Sequence, residues 1–215
     1  MKITVTDLRA VGDGSEAVLT IDIVSGEKSQ RIRGGITAAM LAELGFGLRC
    51  EPFAIDRETC ERLLDCMKLT SAIKKGLSLL TFSRNTIRMM KRKLMQKGFS
   101  EEIARRASAY LAEHGFIDEQ SDAELAAETM ARRNLYGPNR IKSALFAKGF
   151  PEDVIRAALE ETEFDFDEIC LARLYKLGIR PDDAEAKKKL VAKLTYYGFT
   201  YDHIKNAISA YREDE

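Results

Sequence analysis

The chain repeats one short phrase three times, as Lys97-Gly98-Phe99-Ser100, Lys148-Gly149-Phe150-Pro151 and Tyr197-Gly198-Phe199-Thr200. The three glycines are 51 and 49 residues apart. Each has a leucine four residues before it, a large apolar residue eight before it and an alanine nine after it. These positions are Leu94, Leu145 and Leu194; Met90, Ile141 and Leu190; and Ala107, Ala158 and Ala207. A period near fifty with matching flanks indicates a repeat architecture.

The repeated phrase has the chemistry of a helix end followed by a helix start. Glycine takes the left-handed conformation that closes a helix, and the next phenylalanine packs back onto the last turn. Ser100 and Thr200 can then cap the following helix, and Pro151 suits a first helical turn. We therefore predict a positive φ at all three glycines.

The first fifty residues differ from the rest in being rich in β-branched side chains. Residues 17–24 and 28–33 flank Ser25-Gly26-Glu27 and predict a hairpin, after which Thr37 caps a short helix. From Asp56 onward the pattern is helical. It predicts a long helix from Asp56 to about Leu80, with a break near Thr70-Ser71 or Gly76 as an alternative. Later helices are predicted from Asp118 to Asn134 and from Pro181-Asp182 onward.

The predicted fold is mostly α. Three tandem three-helix repeats form a curved, elongated solenoid with a small N-terminal cap that contains the β-hairpin. The predicted divisions are residues 1–55 for the cap and 56–115, 116–162 and 163–215 for the repeats. A solenoid exposes a long surface, which favours a macromolecular partner over a small-molecule pocket.

Charge is balanced over the whole chain but segregated along it. Lys+Arg and Asp+Glu number 34 each. Residues 74–148 carry 15 basic against 8 acidic side chains, and residues 152–185 carry 4 against 11. Such segregation gives the protein a basic middle whose field steers charged partners.

Basic residues cluster around the middle helix of each repeat, the helix that leads into the Gly-Phe phrase. Arg88, Lys91 and Arg92 share a face there, because residues three and four apart are neighbours on a helix. One such cluster could be an ordinary solvated face, but equivalent positions of stacked repeats line one side. We therefore predict a basic stripe that binds an acidic partner or nucleic acid. Its candidate residues are Arg84, Arg88, Lys91, Arg92, Lys97, Arg132, Arg133, Arg140, Lys142, Lys148, Lys188 and Lys193.

The sequence shows no pattern typical of catalysis or metal binding. Cys50, Cys60, Cys66 and Cys170 lack metal-site spacing, and no phosphate-binding glycine loop or nucleophile elbow is found. We expect a non-enzyme with reduced thiols, no cofactor and no metal. The apolar runs are too short to span a membrane, and the first five residues look like a strand, so we also expect a cytoplasmic monomer.

Several motifs resemble those of the RecX regulatory proteins over roughly residues 70–215. Leu79-Leu80, Thr86, Lys93-Leu94 and Lys97-Gly98-Phe99 resemble the first repeat of that family. The family's Gly-Tyr-Leu-Asp-Asp turn resembles residues 115–119, and its paired arginines resemble residues 132–133. Its Gly-Pro-x-x-Ile…Leu-x-x-Lys-Gly pattern resembles residues 137–141 and 145–149. Some longer members also carry an N-terminal β extension. Met89 replaces the family's capping-box Glu, so Thr86 must cap its helix without that carboxylate.

The resemblance implies regulation of the RecA recombinase in DNA repair, recombination and the SOS response. Family members bind along the RecA–DNA filament and restrain strand exchange, ATP hydrolysis and co-protease activity. Binding to free DNA is expected to be weak and non-specific. Two alternatives stay open: a helical-repeat DNA-binding protein that acts without RecA, and a scaffold for an unrelated acidic protein.

Overall fold

The computed structural model describes residues 1–48, 51–161 and 164–213. These residues form two compact units. The first contains Met1–Asn85 and Met90–Phe116, and the second contains Thr86–Met89 and Ile117–Glu215.

The N-terminal region is a four-stranded antiparallel sheet that contains the predicted hairpin. Strands β1 (Lys2–Val11), β2 (Glu16–Ser25), β3 (Lys28–Thr37) and β4 (Phe53–Ile55) lie in the order β3-β2-β1-β4. β2 and β3 are joined by the turn Gly26-Glu27, in which Gly26 has φ +58°. One face of the sheet packs with helix α1 (Ala38–Glu43) and the start of the first long helix, and their apolar side chains make one core.

In the described ranges, the remaining helices follow in three sets of three. The first set is α2 (Arg57–Leu80), α3 (Ile87–Gln96) and α4 (Glu101–Glu113). The second is α5 (Glu119–Glu128) with a π-helical turn (Thr129–Arg133), then α6 (Pro138–Lys148) and α7 (Glu152–Glu161). The third is α8 (Phe166–Leu177), α9 (Ala184–Tyr196) and α10 (Tyr201–Glu213). The predicted fold class, helical repeats with a small N-terminal sheet, is thus confirmed. Over the three described ranges, we find no helix with the length and apolarity to cross a bilayer.

The three Gly-Phe phrases end α3, α6 and α9 as predicted. Gly98, Gly149 and Gly198 have φ values of +91°, +95° and +92°. Each following phenylalanine donates its N–H to the carbonyl of the leucine four residues before the glycine, at 3.2 to 3.3 Å. This is the Schellman pattern, which satisfies carbonyls that a helix end leaves free. The nine leucine, large apolar and alanine positions of the repeat register are at most 1% exposed.

The predicted long helix is confirmed as α2, which is continuous from Arg57 to Leu80, and the alternative of a break near Thr70-Ser71 or Gly76 does not occur. Asp56 caps it by accepting the Thr59 N–H at 2.7 Å, as expected. Gly76 is needed for packing instead of a break: a Cβ built there would lie 2.5 Å from Leu111 Cδ1 of α4. The missing side chain lets α4 approach α2 closely.

Two other helix boundaries differ from the prediction. The helix capped by Asp118 does not run to Asn134 as an α-helix, because it widens into the π-helical turn and ends at Arg133. α9 begins at Ala184, where Asp183 accepts the Ala186 N–H at 2.7 Å, and not at Pro181-Asp182. The side chain that can cap the helix determines where it starts.

Three of the four cysteines lie in the described residues, and all three are free thiols. Cys60 and Cys170 are buried, and Cys66 is half-buried. Burial raises the pKa of Cys170 to about 12, so this thiol is unreactive at neutral pH. Cys50 lies outside the described residues.

Candidate basic interface

The candidate basic residues all lie on or beside the middle helices α3, α6 and α9. Ten of the twelve side chains are exposed, whereas Lys91 and Arg140 are half-buried. Some of these side chains make hydrogen bonds, ion pairs or ring contacts within the protein, and others make none among the described residues. That division decides which of them can meet a partner.

In the second unit, the start of one middle helix meets the end of the next. Thr86, which caps α3, donates its hydroxyl to the carbonyl of Lys148 at the end of α6, at 3.3 Å. Gly137 and Asn139, at the start of α6, donate their N–H groups to the carbonyls of Tyr197 and Gly198, at 2.8 and 3.1 Å. The positive end of one helix dipole therefore faces the negative end of the next.

Close approach at these junctions depends on glycine. A Cβ at Gly198 would lie 2.3 Å from the Arg140 nitrogen, and one at Gly137 would lie 2.5 Å from the Gly198 carbonyl carbon. A Cβ at Gly149 would lie 3.0 Å from the Thr86 hydroxyl. The repeated glycine thus ends its own helix and also leaves room for the start of the neighbouring middle helix.

A carboxylate from α5 supports the N-terminus of α3. Glu119 accepts the Ile87 N–H at 2.8 Å, while Thr86 accepts the Met89 N–H at 3.1 Å. Met89 leaves α3 without its own capping-box carboxylate, and Glu119 provides one from 32 residues away. Burial raises the pKa of the Glu119 carboxyl, and the Ile87 hydrogen bond opposes that shift. Sequence spacing gave no sign of this contact, since capping boxes are recognised within a single turn.

Three of the basic side chains are ion-paired within the protein. Lys91 binds Glu101 at 2.7 Å, and Lys142 binds Glu152 at 3.2 Å, so the same ten-residue spacing recurs in two repeats. Each glutamate is the first residue of the helix that follows the Gly-Phe phrase. Arg132 pairs with Glu128 one turn earlier, at 3.1 Å. These pairs offset the charge that a partner would otherwise meet.

Two arginines are packed against aromatic rings at the helix junctions. Arg88 donates to the Phe146 carbonyl at 3.4 Å, and its guanidinium lies 5.8 Å from the centre of that ring. Arg140 donates to the Tyr196 carbonyl at 3.0 Å. Its guanidinium lies 4.5, 4.7 and 5.7 Å from the ring centres of Tyr136, Tyr196 and Tyr197. Arg140 is therefore half-buried and in contact with the protein, unlike the exposed basic side chains of the set.

The other basic side chains include six that make no hydrogen bond or ion pair within residues 1–48, 51–161 and 164–213. All six are exposed, and they occur on or next to all three middle helices. They are Arg92, Lys97, Arg133, Lys148, Lys188 and Lys193. Exposed cations with no internal partner are the ones that can bind phosphate or carboxylate groups without first losing a contact. Arg84 is also exposed and makes a contact within the protein.

Arg173 is a positioning residue that the sequence analysis missed. It is only 8% exposed, donates Nε to the Leu135 carbonyl at 3.1 Å and also hydrogen-bonds the Asn134 carbonyl. Its guanidinium lies 4.0 Å from the ring centre of Tyr197. It thereby holds the turn after the π-helix, where Leu135 takes a left-handed φ of +50°. A signal was available, because Arg173 lies three residues after Cys170 in the buried stripe of α8.

Comparisons with known proteins agree with this fold and these motifs. Residues 118–159 match the family model described as RecX, second three-helix domain. The regulatory protein RecX of Chlorobaculum tepidum is 31% identical over 149 residues, which are 67% of this chain and 91% of that protein. The regulatory protein RecX of Clostridioides difficile is 28% identical over 159 residues, which are 72% of this chain and 74% of that protein. A crystal structure of a regulatory protein RecX matches with a TM-score of 0.71 at 19% identity, covering 95% of this chain and 99% of that chain.

The fold defines a helical-repeat protein with an N-terminal antiparallel sheet. The identity and coverage of the relatives define its family: the chain belongs to the RecX regulatory proteins. The resemblance drawn from the Gly-Phe phrase and the Gly-Pro segment is confirmed.

Proposed function

We propose that this protein regulates the RecA recombinase by binding the RecA–DNA filament and restraining its strand exchange, ATP hydrolysis and co-protease activity. Membership of the RecX family supports a regulatory role. The observation that carries the proposal is the set of six exposed cations that have no partner within the described residues and recur from one middle helix to the next. A DNA-containing filament presents phosphate groups, and contacts to phosphate are sequence-blind and salt-sensitive.

The direct contacts in this proposal are the six unpartnered side chains of Arg92, Lys97, Arg133, Lys148, Lys188 and Lys193. The other candidates keep a supporting role, because Lys91, Lys142 and Arg132 are ion-paired and Arg88 and Arg140 pack on aromatic rings. The protein acts as a cytoplasmic monomer without catalytic activity, and its divisions into a cap and three repeats follow residues 1–55, 56–115, 116–162 and 163–215.

The proposal is tested by adding the purified chain to RecA that is hydrolysing ATP on single-stranded DNA. We expect the rate of hydrolysis to fall as the chain is added at concentrations below that of RecA, because a ligand bound along a filament affects many subunits. A rate that stays unchanged up to an equimolar amount of the chain would contradict the proposal.

A second candidate function is binding to DNA without RecA. The same unpartnered cations favour it, since phosphate alone could occupy them. Binding of the chain to single- and double-stranded DNA, measured at physiological salt with and without RecA, separates the two functions. We expect binding to be at least about tenfold tighter when RecA coats the DNA, because a filament offers protein contacts in addition to phosphates. Equal affinity with and without RecA would favour the second candidate.

A further inference from the structure

Strand β3 is an edge of the N-terminal sheet with a free backbone. It pairs with β2 along its whole length, from Ser25↔Lys28 at the turn to Glu16↔Thr37. In residues 1–48, 51–161 and 164–213, no strand pairs with its other side. In an antiparallel ladder, alternate residues direct their N–H and C=O groups away from the partner strand. A row of backbone donors and acceptors therefore faces outward along β3, where it can template a further strand.

The turn identifies which residues of β3 face outward. In a two-residue hairpin such as Gly26-Glu27, the flanking residues Ser25 and Lys28 form the first hydrogen-bonded pair. The Ala38 N–H donates to the Ser15 carbonyl at 2.8 Å, which continues the even-numbered series just beyond the strand. The odd-numbered residues thus direct their backbone groups outward. They are Ser29, Arg31, Arg33 and Gly35.

A groove of about 550 Å³ runs beside this edge, between β3 and α2. Ile32, Leu64 and Met67 supply apolar side chains to its lining. The lack of a side chain at Gly34 leaves room for Met67, since a Cβ on Gly34 would lie 2.7 Å from the Met67 methyl carbon. An exposed edge strand that borders a helix-walled groove is the arrangement in which an extended peptide adds as a new strand. Main-chain hydrogen bonds then supply affinity, and alternate side chains enter the groove.

The charge around the groove is positive. Among the described residues, its lining includes Arg33, Lys68 and Lys74 and no acidic residue. Lys74 is paired with Glu16, but Arg33 and Lys68 are exposed and have no ion pair within the described part of the chain. A second copy of β3 would bring its own Arg33 and Lys28 to this edge, and like charges facing each other disfavour that pairing. A strand that carries acidic side chains would instead be attracted by Arg33 and Lys68.

We infer that the groove between β3 and α2 binds an extended, acidic peptide segment of a partner protein, which adds to the sheet as a fifth strand beside β3. The site is independent of the basic residues on the middle helices and of the proposed action on RecA. It gives the N-terminal sheet a binding role in addition to its role as a cap of the helical repeats.

The inference is tested with a synthetic peptide in which glutamate alternates with valine, carrying a fluorescent label and blocked ends. A peptide with lysine in place of each glutamate is the matched probe. Binding to the full chain is followed by fluorescence anisotropy. We expect saturable binding of the acidic peptide and none of the basic one. The double variant Arg33→Glu with Lys68→Glu should weaken binding by at least about tenfold, because both favourable charge contacts become repulsive.

Two controls separate strand addition from general charge attraction. Arg62→Glu reverses one charge on α2 away from the groove, the same change as either single substitution of the double variant, and it should leave the affinity within about twofold. Hydrogen exchange of the Arg31 and Arg33 amides should slow when the acidic peptide is present, because both N–H groups gain acceptors. Three results would overturn the inference: equal binding of both peptides, equal weakening by Arg62→Glu, or unchanged exchange of these amides at saturation. A chain dimer that Arg33→Glu dissociates would also overturn it, by assigning the edge to a second copy.

Discussion

At the scale of single residues, the three junction glycines share a conformation but differ in their surroundings. Gly98 has a left-handed φ, and no atom of the described residues that could clash lies within 4 Å of the position a Cβ would take. Gly198 has the same conformation, but a Cβ there would overlap the backbone of Arg140. The repeated phrase in the sequence predicted the conformation of all three. It gave no information on the close approach at Gly198, because the neighbouring backbone belongs to residues about sixty positions earlier.

This difference predicts unequal effects of alanine. Gly98→Ala should lower the free energy of unfolding by about 1–2 kcal/mol, since it only forces a non-glycine residue into the left-handed region. Gly198→Ala should cost about 3 kcal/mol or more, because strain and overlap with backbone atoms add. Chemical denaturation of both variants, followed by circular dichroism, measures the two values. Equal losses would show that the close contact at Gly198 is unimportant.

Glu119 predicts a pH dependence. Its pKa is raised above the ordinary value of 4.5 by burial, so the folded chain binds its proton more tightly than the unfolded chain does. Stability from this group therefore decreases as the pH rises from about 4.5 through the pKa of the folded state. Glu119→Gln keeps an acceptor for the Ile87 N–H but does not titrate, so its urea midpoint should fall less between pH 4 and pH 7. The same pH dependence in both proteins would assign the effect to other groups.

At the scale of secondary-structure elements, most of the fold follows from local signals. The caps Thr37, Asp56 and Ser100 were recognisable because each lies directly before an apolar helical pattern. β4 was not recognised, since three residues carry too little alternation to indicate a strand. The π-helical turn was also missed. The carbonyls that follow it accept hydrogen bonds from the buried Arg173 of α8, a contact between residues 38 and 39 positions apart that local spacing does not indicate.

Thr86 joins two elements through one hydroxyl. It accepts the Met89 N–H and donates to the Lys148 carbonyl, so Thr86→Val removes both hydrogen bonds while keeping the shape of the side chain. We expect a loss of about 1–3 kcal/mol in the free energy of unfolding. Thr86→Ser restores the hydroxyl and should recover most of that loss. If the serine variant is as unstable as the valine variant, the effect comes from the lost methyl packing and not from the hydrogen bonds.

The contacts of Arg140 indicate that the basic residues on or beside the middle helices differ in their importance for folding. Arg140→Ala removes a hydrogen bond to the Tyr196 carbonyl and contacts with three tyrosine rings, and it should cost about 1–2 kcal/mol. Arg133→Ala removes an exposed side chain without an internal partner in the described residues and should change stability by no more than about 0.5 kcal/mol. Thermal melts of both variants compare them. Equal melting temperatures would show that Arg140 contributes no more to stability than the exposed side chain of Arg133.

At the scale of the whole molecule, the distribution of charge connects the fold to the proposed function. The sequence predicted which helices carry the basic residues, because their clusters recur at corresponding places before the Gly-Phe phrases. The sequence did not show which basic side chains make contacts within the protein. The ion-pair partners of Lys91 and Lys142 lie on the next helix, and the rings beside Arg140 are up to 57 residues away in sequence. Among the candidate residues, six cations without a partner in the described part of the chain remain for the proposed binding.

The most direct test measures binding to RecA filaments on single-stranded DNA with two matched triple variants. One neutralises three of the unpartnered cations on or beside the middle helices: Arg133→Gln, Lys148→Gln and Lys193→Gln. The other makes the same charge change on exposed cations of α7, α8 and α10: Arg156→Gln, Lys176→Gln and Lys205→Gln. We predict that the first variant binds at least about tenfold more weakly, with a salt slope reduced by about three, and that the second binds like the unmodified chain. Equal affinities and equal salt slopes for the two variants would contradict the claim that the cations of the middle helices contact the filament.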